Sequence, residues 1–220
     1  MSAFLGPIHY WMFNKITIIE SRAMAIAAAL EKNGVDAGEV QKAVADYGQK
    51  LAGQDLDELV GFNPIHQFLT GLIAKVQVFE ARLVELAGGK FDIVLQAAEE
   101  HARAEALNAV KAKGIKPDSL EAVYQYVSDY QLEGMPCDPG AQVALNGRSK
   151  LDYTHSACNH IQNWEYTSVD IGHMCKLTNA WLKAFITALN GEVEYSLQTA
   201  IATGAQSCIA HLAVKEGVAV

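Results

Sequence analysis

Residues 133–157 have the sequence EGMPCDPGAQVALNGRSKLDYTHSA, and the chain changes character within them. The first eight residues contain two prolines and two glycines, a density that a helix cannot accommodate. Asn146-Gly147 then separates the short segments 142–145 and 151–157, and this dipeptide is a strong signal for the tight turn of a β-hairpin. We therefore predict helices before residue 133 and a hairpin after residue 140.

Helical periodicity dominates the chain before this segment. Its clearest form is an apolar stripe that follows Pro64 and ends at Gly88-Gly89. The stripe consists of Leu69, Leu72, Ile73, Val76, Phe79, Leu83 and Leu86. The same periodicity, with similar end signals, predicts helices over residues 7–30, 36–51, 92–113 and 120–130.

One more helix and two more strands are predicted after the hairpin, over residues 169–189, 192–203 and 206–214. This order of elements predicts an α+β fold, with a helical N-terminal two-thirds packed with a small C-terminal antiparallel β-sheet that carries one helix. We expect a helical part (1–132) and a sheet part (133–220), with a ligand site at their interface. A single domain is the alternative.

The composition argues against two classes of partner. The chain has 220 residues, of which 25 are acidic and 17 basic, for a net charge of -8. The basic residues are scattered along the sequence. Nucleic acid and anionic membrane surfaces both require clustered Lys and Arg, so we expect neither as a partner.

The sequence also bears on the compartment. No apolar run approaches the roughly 20 residues that span a bilayer, and residues 3–13 lack a basic leader and a cleavage site. Cys137, Cys158, Cys175 and Cys208 are widely spaced, unlike the disulfide framework of a small secreted domain. We predict a cytoplasmic protein with free thiols and no membrane partner.

Two histidines are placed alike at the start of two predicted helices. Pro7-Ile8-His9 is echoed by Pro64-Ile65-His66, which puts each imidazole in a first helical turn and toward the apolar side. The positive end of the helix dipole favours a neutral ring, which can bind a metal or exchange a proton. His9 and His66 are therefore candidate cofactor-binding residues. The alternative is that each ring caps its own helix or forms a hydrogen bond in the core.

Two other polar residues in the helical part need an explanation. His101 is a third candidate metal ligand, although a solvated charged face is the preferred interpretation of its surroundings. Glu20 lies on the same helix face as His9, where a carboxylate requires a partner, either an arginine or the second end of a pocket. A transition metal or haem bound by His9, His66 and His101 would make the protein a sensor.

Cys158 is the best candidate nucleophile. It ends a predicted strand, and His155 and His160 lie within three residues of it. A neighbouring imidazole can remove the proton of a thiol and so create a nucleophilic thiolate. We predict catalytic roles for Cys158, His155 and His160, while an ordinary cysteine at a sheet edge explains the pattern equally well.

Three features of the C-terminal part recur together in a known family. They are Cys158 before a polar segment, the helical segment 170–190, and a terminal hairpin whose turn, residues 203–208, has the sequence TGAQSC. From Cys158 onward the chain is therefore similar to the L-2-amino-thiazoline-4-carboxylic acid hydrolase family. It departs from that family at Ala205, where an acidic residue is usual. The resemblance implies a small-molecule site and ring-opening hydrolysis of a C–N bond.

The leading hypothesis is a hydrolase that cleaves a C–N bond of a small nitrogen- or sulfur-containing metabolite, with Cys158 as nucleophile and a histidine as base. The alternative is a metal- or haem-binding sensor or ligand-binding protein that uses His9 and His66. A third hypothesis is a helical interaction module whose histidines belong to the core. The expected partner is a small-molecule ligand, and the apolar stripes also suit a homo-oligomer.

Overall fold

The structure is a computed structural model that describes residues 5–147 and 149–215. Within these residues it contains eight α-helices and one four-stranded sheet, which confirms the predicted α+β class. The helices are α1 (Pro7–Lys32), α2 (Ala37–Tyr47), α3 (Leu56–Val60), α4 (Ile65–Ala87), α5 (Phe91–Lys113), α6 (Leu120–Tyr130), α7 (Ile161–Trp164) and α8 (Ile171–Leu189). The strands are β1 (Gln142–Asn146), β2 (Lys150–His155), β3 (Val193–Thr199) and β4 (Cys208–Val214).

Local sequence signals explain most of the helix boundaries. Pro7 begins α1, where a proline costs no intrahelical hydrogen bond. Ser119 caps α6, because its Oγ atom accepts the backbone N–H of Ala122 at 3.2 Å. Helix α2 ends at Tyr47 rather than at residue 51, because Gly48 adopts a φ of +84°, which few other residues tolerate.

The sheet is antiparallel throughout, in the order β1-β2-β4-β3. Strand β4 therefore lies between β2 and β3. The predicted strand over residues 192–203 is shorter in the structure, since β3 ends at Thr199 and a 3-10 turn follows over Ile201–Thr203. The short helices α3 and α7 were not predicted, because neither is long enough to show a full apolar period.

Helix α8 connects the sheet to the helical part. It packs against α5 and against β3, and its buried face includes Trp181 and Phe185. Burial of each large apolar side chain stabilises the fold by roughly 1.5–3 kcal/mol. One hydrophobic core continues from α1 to β4, so the side chains between the sheet and the helices share a common packed environment.

Helices α1 and α4 pack side by side and run in the same direction. His9 and His66, near their first residues, have ring centroids 5.7 Å apart, and Arg22 pairs with Glu80 further along both helices. The apolar stripe of α4, apart from the partly buried Leu86, is buried within this single chain. Most of it is therefore used for packing inside the chain, and the homo-oligomer remains a prediction.

Glu20 on α1 forms hydrogen bonds with the end of α2 and with the segment between α2 and α3. Its carboxylate accepts hydrogen bonds from the Tyr47 hydroxyl at 2.7 Å and from the backbone N–H groups of Leu51 and Ala52 at 2.7 and 2.8 Å. Three donors satisfy a carboxylate that is 1% exposed. The partner of Glu20 is thus a tyrosine and a loop, neither the expected arginine nor a pocket.

In the part of the chain that the structure describes, no helix is both long enough and apolar enough to cross a membrane.

Candidate functional site

A cavity of about 80 Å³ lies between the inner face of the sheet, α8 and α7. At the roughly 30 Å³ that one water takes up in the liquid, it has room for two or three waters, which suits a small molecule. Three of the four cysteines and two of the seven histidines contribute to its wall. The polar side chains that line it are Gln131, Glu133, Tyr153, His155, Cys158, Asn159, His160, Trp164, Cys175, Thr178, Asn179, Tyr195 and Cys208.

The register of the sheet places His155 beside Cys208. Strands β2 and β4 pair His155 with Cys208 and Tyr153 with Ala210. Paired residues project to the same face of a sheet, as do residues two apart in one strand. Because Tyr153 is buried, this alternation turns His155 and Cys208 toward the same side, where both line the cavity.

His155 forms a hydrogen-bonded pair with Glu133. The Nε2 atom of His155 lies 3.0 Å from Oε1 of Glu133, and the two side chains are 16% and 23% exposed. Because the Nε2–H group donates to the carboxylate, the atom of the neutral ring that can accept a proton is Nδ1. A carboxylate that orients a histidine in this way is the usual support for a general base.

A structured loop, residues 133–140, holds Glu133 in position. The Nδ2 atom of Asn159 donates to the backbone carbonyl of Glu133 at 2.8 Å. Gly134 has a φ of +117°, and a Cβ atom there would lie 2.8 Å from Nδ2 of Asn159. Only glycine fits both the backbone conformation and the close approach, so the Gly134 position fixes where Glu133 lies.

The thiol of Cys158 is half-buried between the end of β2 and the start of α7. Burial raises the pKa of Cys158, and hydrogen bonds from the backbone N–H groups of His160 and Ile161 to the sulfur offset part of that rise. The side-chain hydrogen bonds of His155 and His160 go to Glu133 and Gln77. The thiol is therefore the resting form, and a substrate atom or a water has to connect it to a base.

His160 is held as a neutral hydrogen-bond donor. Gln77 donates from Nε2 to Nδ1 of His160 at 2.7 Å, and its own Oε1 atom accepts from Nδ2 of Asn163 at 2.8 Å. The ring stacks on Trp164, with centroids 5.2 Å apart. Burial, the largest cause, lowers the pKa of His160 to about 4. At neutral pH its proton lies on Nε2, so His160 can donate to a ligand but cannot act as a base.

Cys175 and Cys208 are the other two cysteines that line the cavity. Asn179 donates from Nδ2 to the sulfur of Cys175 at 3.5 Å, and the backbone N–H of Ile201 donates to the sulfur of Cys208 at 3.3 Å. Burial raises the pKa of Cys175 to about 11. A thiol that keeps its proton at such pH is a poor nucleophile in neutral solution. Cys158, which two backbone N–H groups face, is the better candidate.

A smaller recess of about 20 Å³ adjoins the cavity on the side of the helices. The two spaces share Gln131, His160, Trp164 and Thr178. Arg22 and Glu80 also line the recess, joined by two hydrogen bonds of 2.6 and 2.7 Å. This two-point pairing neutralises both buried charges, so the ion pair offers no free cation to a ligand.

His9 and His66 lie together in a separate pocket at the start of α1 and α4. The Nδ1 atom of His9 accepts the backbone N–H of Gly6 at 3.0 Å, so this ring caps its own helix and keeps its proton on Nε2. A protonated Nε2 atom cannot bind a metal ion or a haem iron. His66 is exposed rather than turned toward the apolar side. The pair therefore does not fit the predicted metal or haem.

His101 lies apart from this pair. It contacts Ser21, which follows His9 by 12 residues and so lies about 18 Å further along α1. Trp181 donates from Nε1 to Nδ1 of His101 at 3.0 Å, and Nε2 lies 2.7 Å from the Ser21 hydroxyl. Burial lowers the pKa of His101 to about 4. His101 is thus a half-buried bridge between three helices, rather than part of a solvated face or a ligand set with His9 and His66.

Over residues 5–147 and 149–215, no group of three or more His, Cys, Asp or Glu side chains has the arrangement that would hold a metal ion.

The chain matches no protein-family model and no curated protein. The resemblance to the thiazoline carboxylic acid hydrolases therefore stays a prediction.

The predicted residues Cys158, His155 and His160 line one cavity, but their hydrogen-bond partners were not predicted. Glu133 precedes His155 by 22 residues and Gln77 precedes His160 by 83, and only the tertiary fold brings them together. Gln77 nevertheless left a signal, because it follows Ile73 by one helical turn and is a polar residue on the buried face of α4. For Glu133 the signal is weaker: it is an acidic residue at the entrance of a glycine-rich loop.

Proposed function

We propose that this protein is a small-molecule hydrolase that cleaves a C–N bond of a nitrogen- or sulfur-containing metabolite. Cys158 is the nucleophile and His155, oriented by Glu133, is the base. The observation that carries the proposal is the His155–Glu133 hydrogen bond of 3.0 Å in the wall of the same cavity that the Cys158 thiol lines.

The proposed reaction begins with proton transfer. Nδ1 of His155 takes the proton of the Cys158 thiol, directly or through one water, and the thiolate attacks the carbon of the C–N bond. Glu133 stabilises the imidazolium that forms, because its carboxylate already accepts the Nε2–H group. The backbone N–H groups of His160 and Ile161 stabilise the negative sulfur.

The same imidazole completes the cycle. The C–N bond breaks as its nitrogen takes the proton from His155, which leaves the substrate carbon bonded to the Cys158 sulfur. His155 then removes a proton from a water, the resulting hydroxide attacks that carbon, and the thiolate leaves and recovers its proton. For a cyclic substrate the outcome is a ring opened by the addition of one water.

Different roles are proposed for the two histidines, on the strength of their hydrogen bonds. Within residues 5–147 and 149–215, Nδ1 of His155 has no hydrogen-bond partner and can accept a proton, whereas Nδ1 of His160 accepts from Gln77. The remaining Nε2–H group of His160 can donate to the negative oxygen or nitrogen that develops on the substrate. His160 is therefore assigned to transition-state stabilisation and His155 to proton transfer.

The proposal is tested by incubating the protein with a panel of cyclic amides, imides and thiazolines and following the addition of one water by mass spectrometry. We expect ring opening by the wild-type protein and a loss of about 100-fold or more in Cys158→Ala and His155→Ala. Cys137→Ser is the matched control, because Cys137 is exposed and does not line this cavity. Undiminished ring opening by Cys158→Ala would exclude the proposed nucleophile.

A further inference from the structure

Three buried side chains in the cavity wall, Gln131, Tyr153 and Trp164, have a polar atom without a partner within the described residues. The Tyr153 hydroxyl can both donate and accept a hydrogen bond, so Gln131 and Trp164 are the two that select a ligand. Gln131 is 9% exposed and Trp164 is 3% exposed, yet neither Oε1 of Gln131 nor Nε1 of Trp164 has a hydrogen bond within the described residues. Both side chains line the cavity and also the adjoining recess. A buried polar atom without a partner destabilises the folded protein, so these two atoms require a partner that the described residues do not provide.

The chemistry of the two atoms defines what the missing partner must present. The carbonyl oxygen of the Gln131 side chain can only accept a hydrogen bond, and the indole N–H of Trp164 can only donate one. The ligand therefore needs an N–H or O–H donor and an acceptor atom, both on the side that faces these two residues. A carboxylate or a phosphate supplies acceptors alone and would leave Oε1 of Gln131 unpaired.

The charges around the cavity also disfavour an anion. Among the described lining residues, Glu133 is the one carboxylate, and neither a lysine nor an arginine contributes. Arg22, in the adjoining recess, is already paired with the carboxylate of Glu80 through two hydrogen bonds. An anionic ligand would lose its hydration without gaining a cation, which is unfavourable in a partly enclosed site.

Building on the proposed hydrolase function, we infer that the substrate is an uncharged cyclic amide, either a lactam or an imide. A small ring forces its amide bond into the cis form, so the N–H and the C=O groups lie on the same edge. The substrate N–H donates to Oε1 of Gln131, and its carbonyl oxygen accepts from Nε1 of Trp164. The carbonyl carbon on that edge is the atom whose C–N bond is cleaved.

The inference assigns Gln131 and Trp164 as specificity residues. It also makes Trp164 a donor to the oxygen that becomes negative when the thiolate adds to the carbonyl carbon. The indole stacks on the ring of His160, whose Nε2–H group is the other proposed donor to the same oxygen.

Binding of two matched probes to the full chain tests the inference. The probes are 2-pyrrolidone, an uncharged lactam, and 5-oxoproline, the same ring with a carboxylate; affinities are measured by NMR titration. All measurements use Cys158→Ala as well as the wild-type protein, so that binding is read without turnover. We expect 2-pyrrolidone to bind both proteins and 5-oxoproline to bind at least about tenfold more weakly.

Substitutions at Gln131 and Trp164 test whether these residues bind the lactam. Gln131→Met keeps the size of the side chain and should weaken 2-pyrrolidone binding about five- to tenfold, whereas Gln41→Met, at an exposed position on α2, should leave it unchanged. Because the variant removes an unpaired buried oxygen, the melting temperature of free Gln131→Met should equal or exceed that of the wild type. A purely structural role for Gln131 predicts the opposite result, lower stability with unchanged affinity. Trp164→Phe should weaken binding to a similar degree.

Failure of the inference and failure of the proposed function have different signatures. Tighter binding of 5-oxoproline, or unchanged lactam affinity in Gln131→Met, overturns the inferred substrate class even where ring opening of other compounds shows that the protein is a hydrolase. If lactam binding depends on Gln131 but the wild-type protein opens no ring, the inferred ligand class is supported and the proposed hydrolase function is excluded.

Discussion

The Nε2 atom of His155 lies 3.0 Å from Oε1 of Glu133, across a gap of 22 residues in the sequence. This contact joins the hairpin strand β2 to the loop that follows α6. The hydrogen bond occupies Nε2 of His155, and so it determines that Nδ1 is the atom through which the histidine paired with Cys208 in the sheet can accept a proton.

The substitution Glu133→Gln tests that relationship. A neutral amide at this position cannot stabilise an imidazolium as a carboxylate does, and it can favour the wrong tautomer of His155. We expect kcat/KM for ring opening to fall by about 100-fold or more, with little change in the melting temperature, since both side chains are partly exposed. A decrease of less than about threefold would show that His155 does not act through this carboxylate. Glu165→Gln, at an exposed position beside α7, is the control.

Alkylation with iodoacetamide tests the accessibility and protonation of the thiols. Cys137 is exposed and should react first, while burial raises the pKa of Cys158 and leaves little thiolate at pH 7. In Cys137→Ser, the rate of labelling at Cys158 should therefore rise as the pH increases toward and beyond 9. Peptide mapping by mass spectrometry measures the labelling at each position. Labelling of Cys158 at pH 7 as fast as that of Cys137 would indicate an activated thiolate in the free protein.

The lowered pKa of His101 predicts that the protein loses stability in acid. Its pKa is about 4 in the folded protein and near 6.5 when unfolded, because burial disfavours the charged ring. As the pH falls from 6.5 to 4, the unfolded chain binds a proton that the folded protein excludes, so the free energy of unfolding decreases over that window, by on the order of 3 kcal/mol. His160 has a similarly lowered pKa and adds to the same decrease.

Urea denaturation at a series of pH values measures this effect. His101→Gln should be less stable than the wild type at pH 7, because it loses the bridge to Ser21 and Trp181, and its stability should depend less on pH between 6.5 and 4. His66→Gln, at an exposed position, should reproduce the wild-type profile. An unchanged slope in His101→Gln would mean that His101 already titrates near its ordinary pKa in the folded protein.

The hydrogen bond from the Tyr47 hydroxyl to Glu20 predicts that Tyr47→Phe and Tyr166→Phe differ in stability. Tyr47→Phe removes one of the three donors to the buried carboxylate of Glu20 and should cost about 1.5–3 kcal/mol, the range for hydrogen bonds to charged groups. Tyr166→Phe alters a side chain that is 78% exposed and should change stability by less than about 0.5 kcal/mol. Thermal unfolding of both variants measures the difference. Equal stabilities would show that Glu20 is adequately satisfied by the two backbone groups.

Much of the architecture follows from short-range signals. Helix α6 spans residues 120–130 as predicted, because Ser119 supplies a local cap. The β1–β2 hairpin also forms where Asn146-Gly147 predicts one, but Asn146 belongs to β1 and pairs with Lys150, so the connection is longer than a two-residue turn. Such signals act over a few residues and are independent of the rest of the chain. They also sufficed to mark Cys158 and its two neighbouring histidines.

The partners of those residues could not be predicted in the same way. Whether His155 bonds to Glu133, or His101 to Trp181, depends on how α5, α6, α8 and the sheet pack, and the sequence separations are 22 and 80 residues. The placement of His9 illustrates the limit. Its position in the first helical turn was predicted, but the choice between a cap and a ligand depended on one hydrogen bond to Gly6.

The strand order has a consequence for the protein during its synthesis. Strand β4 lies between β2 and β3 but is translated after both, so the ribosome releases the two flanking strands before the strand that joins them exists. Until β4 emerges, β3 has no neighbour in the sheet, and His155 lacks the Cys208 neighbour with which it forms one side of the cavity. A nascent chain therefore carries the proposed nucleophile and base without an enclosed site. On the proposed function, reactivity toward cellular metabolites begins only when translation of the sheet is complete.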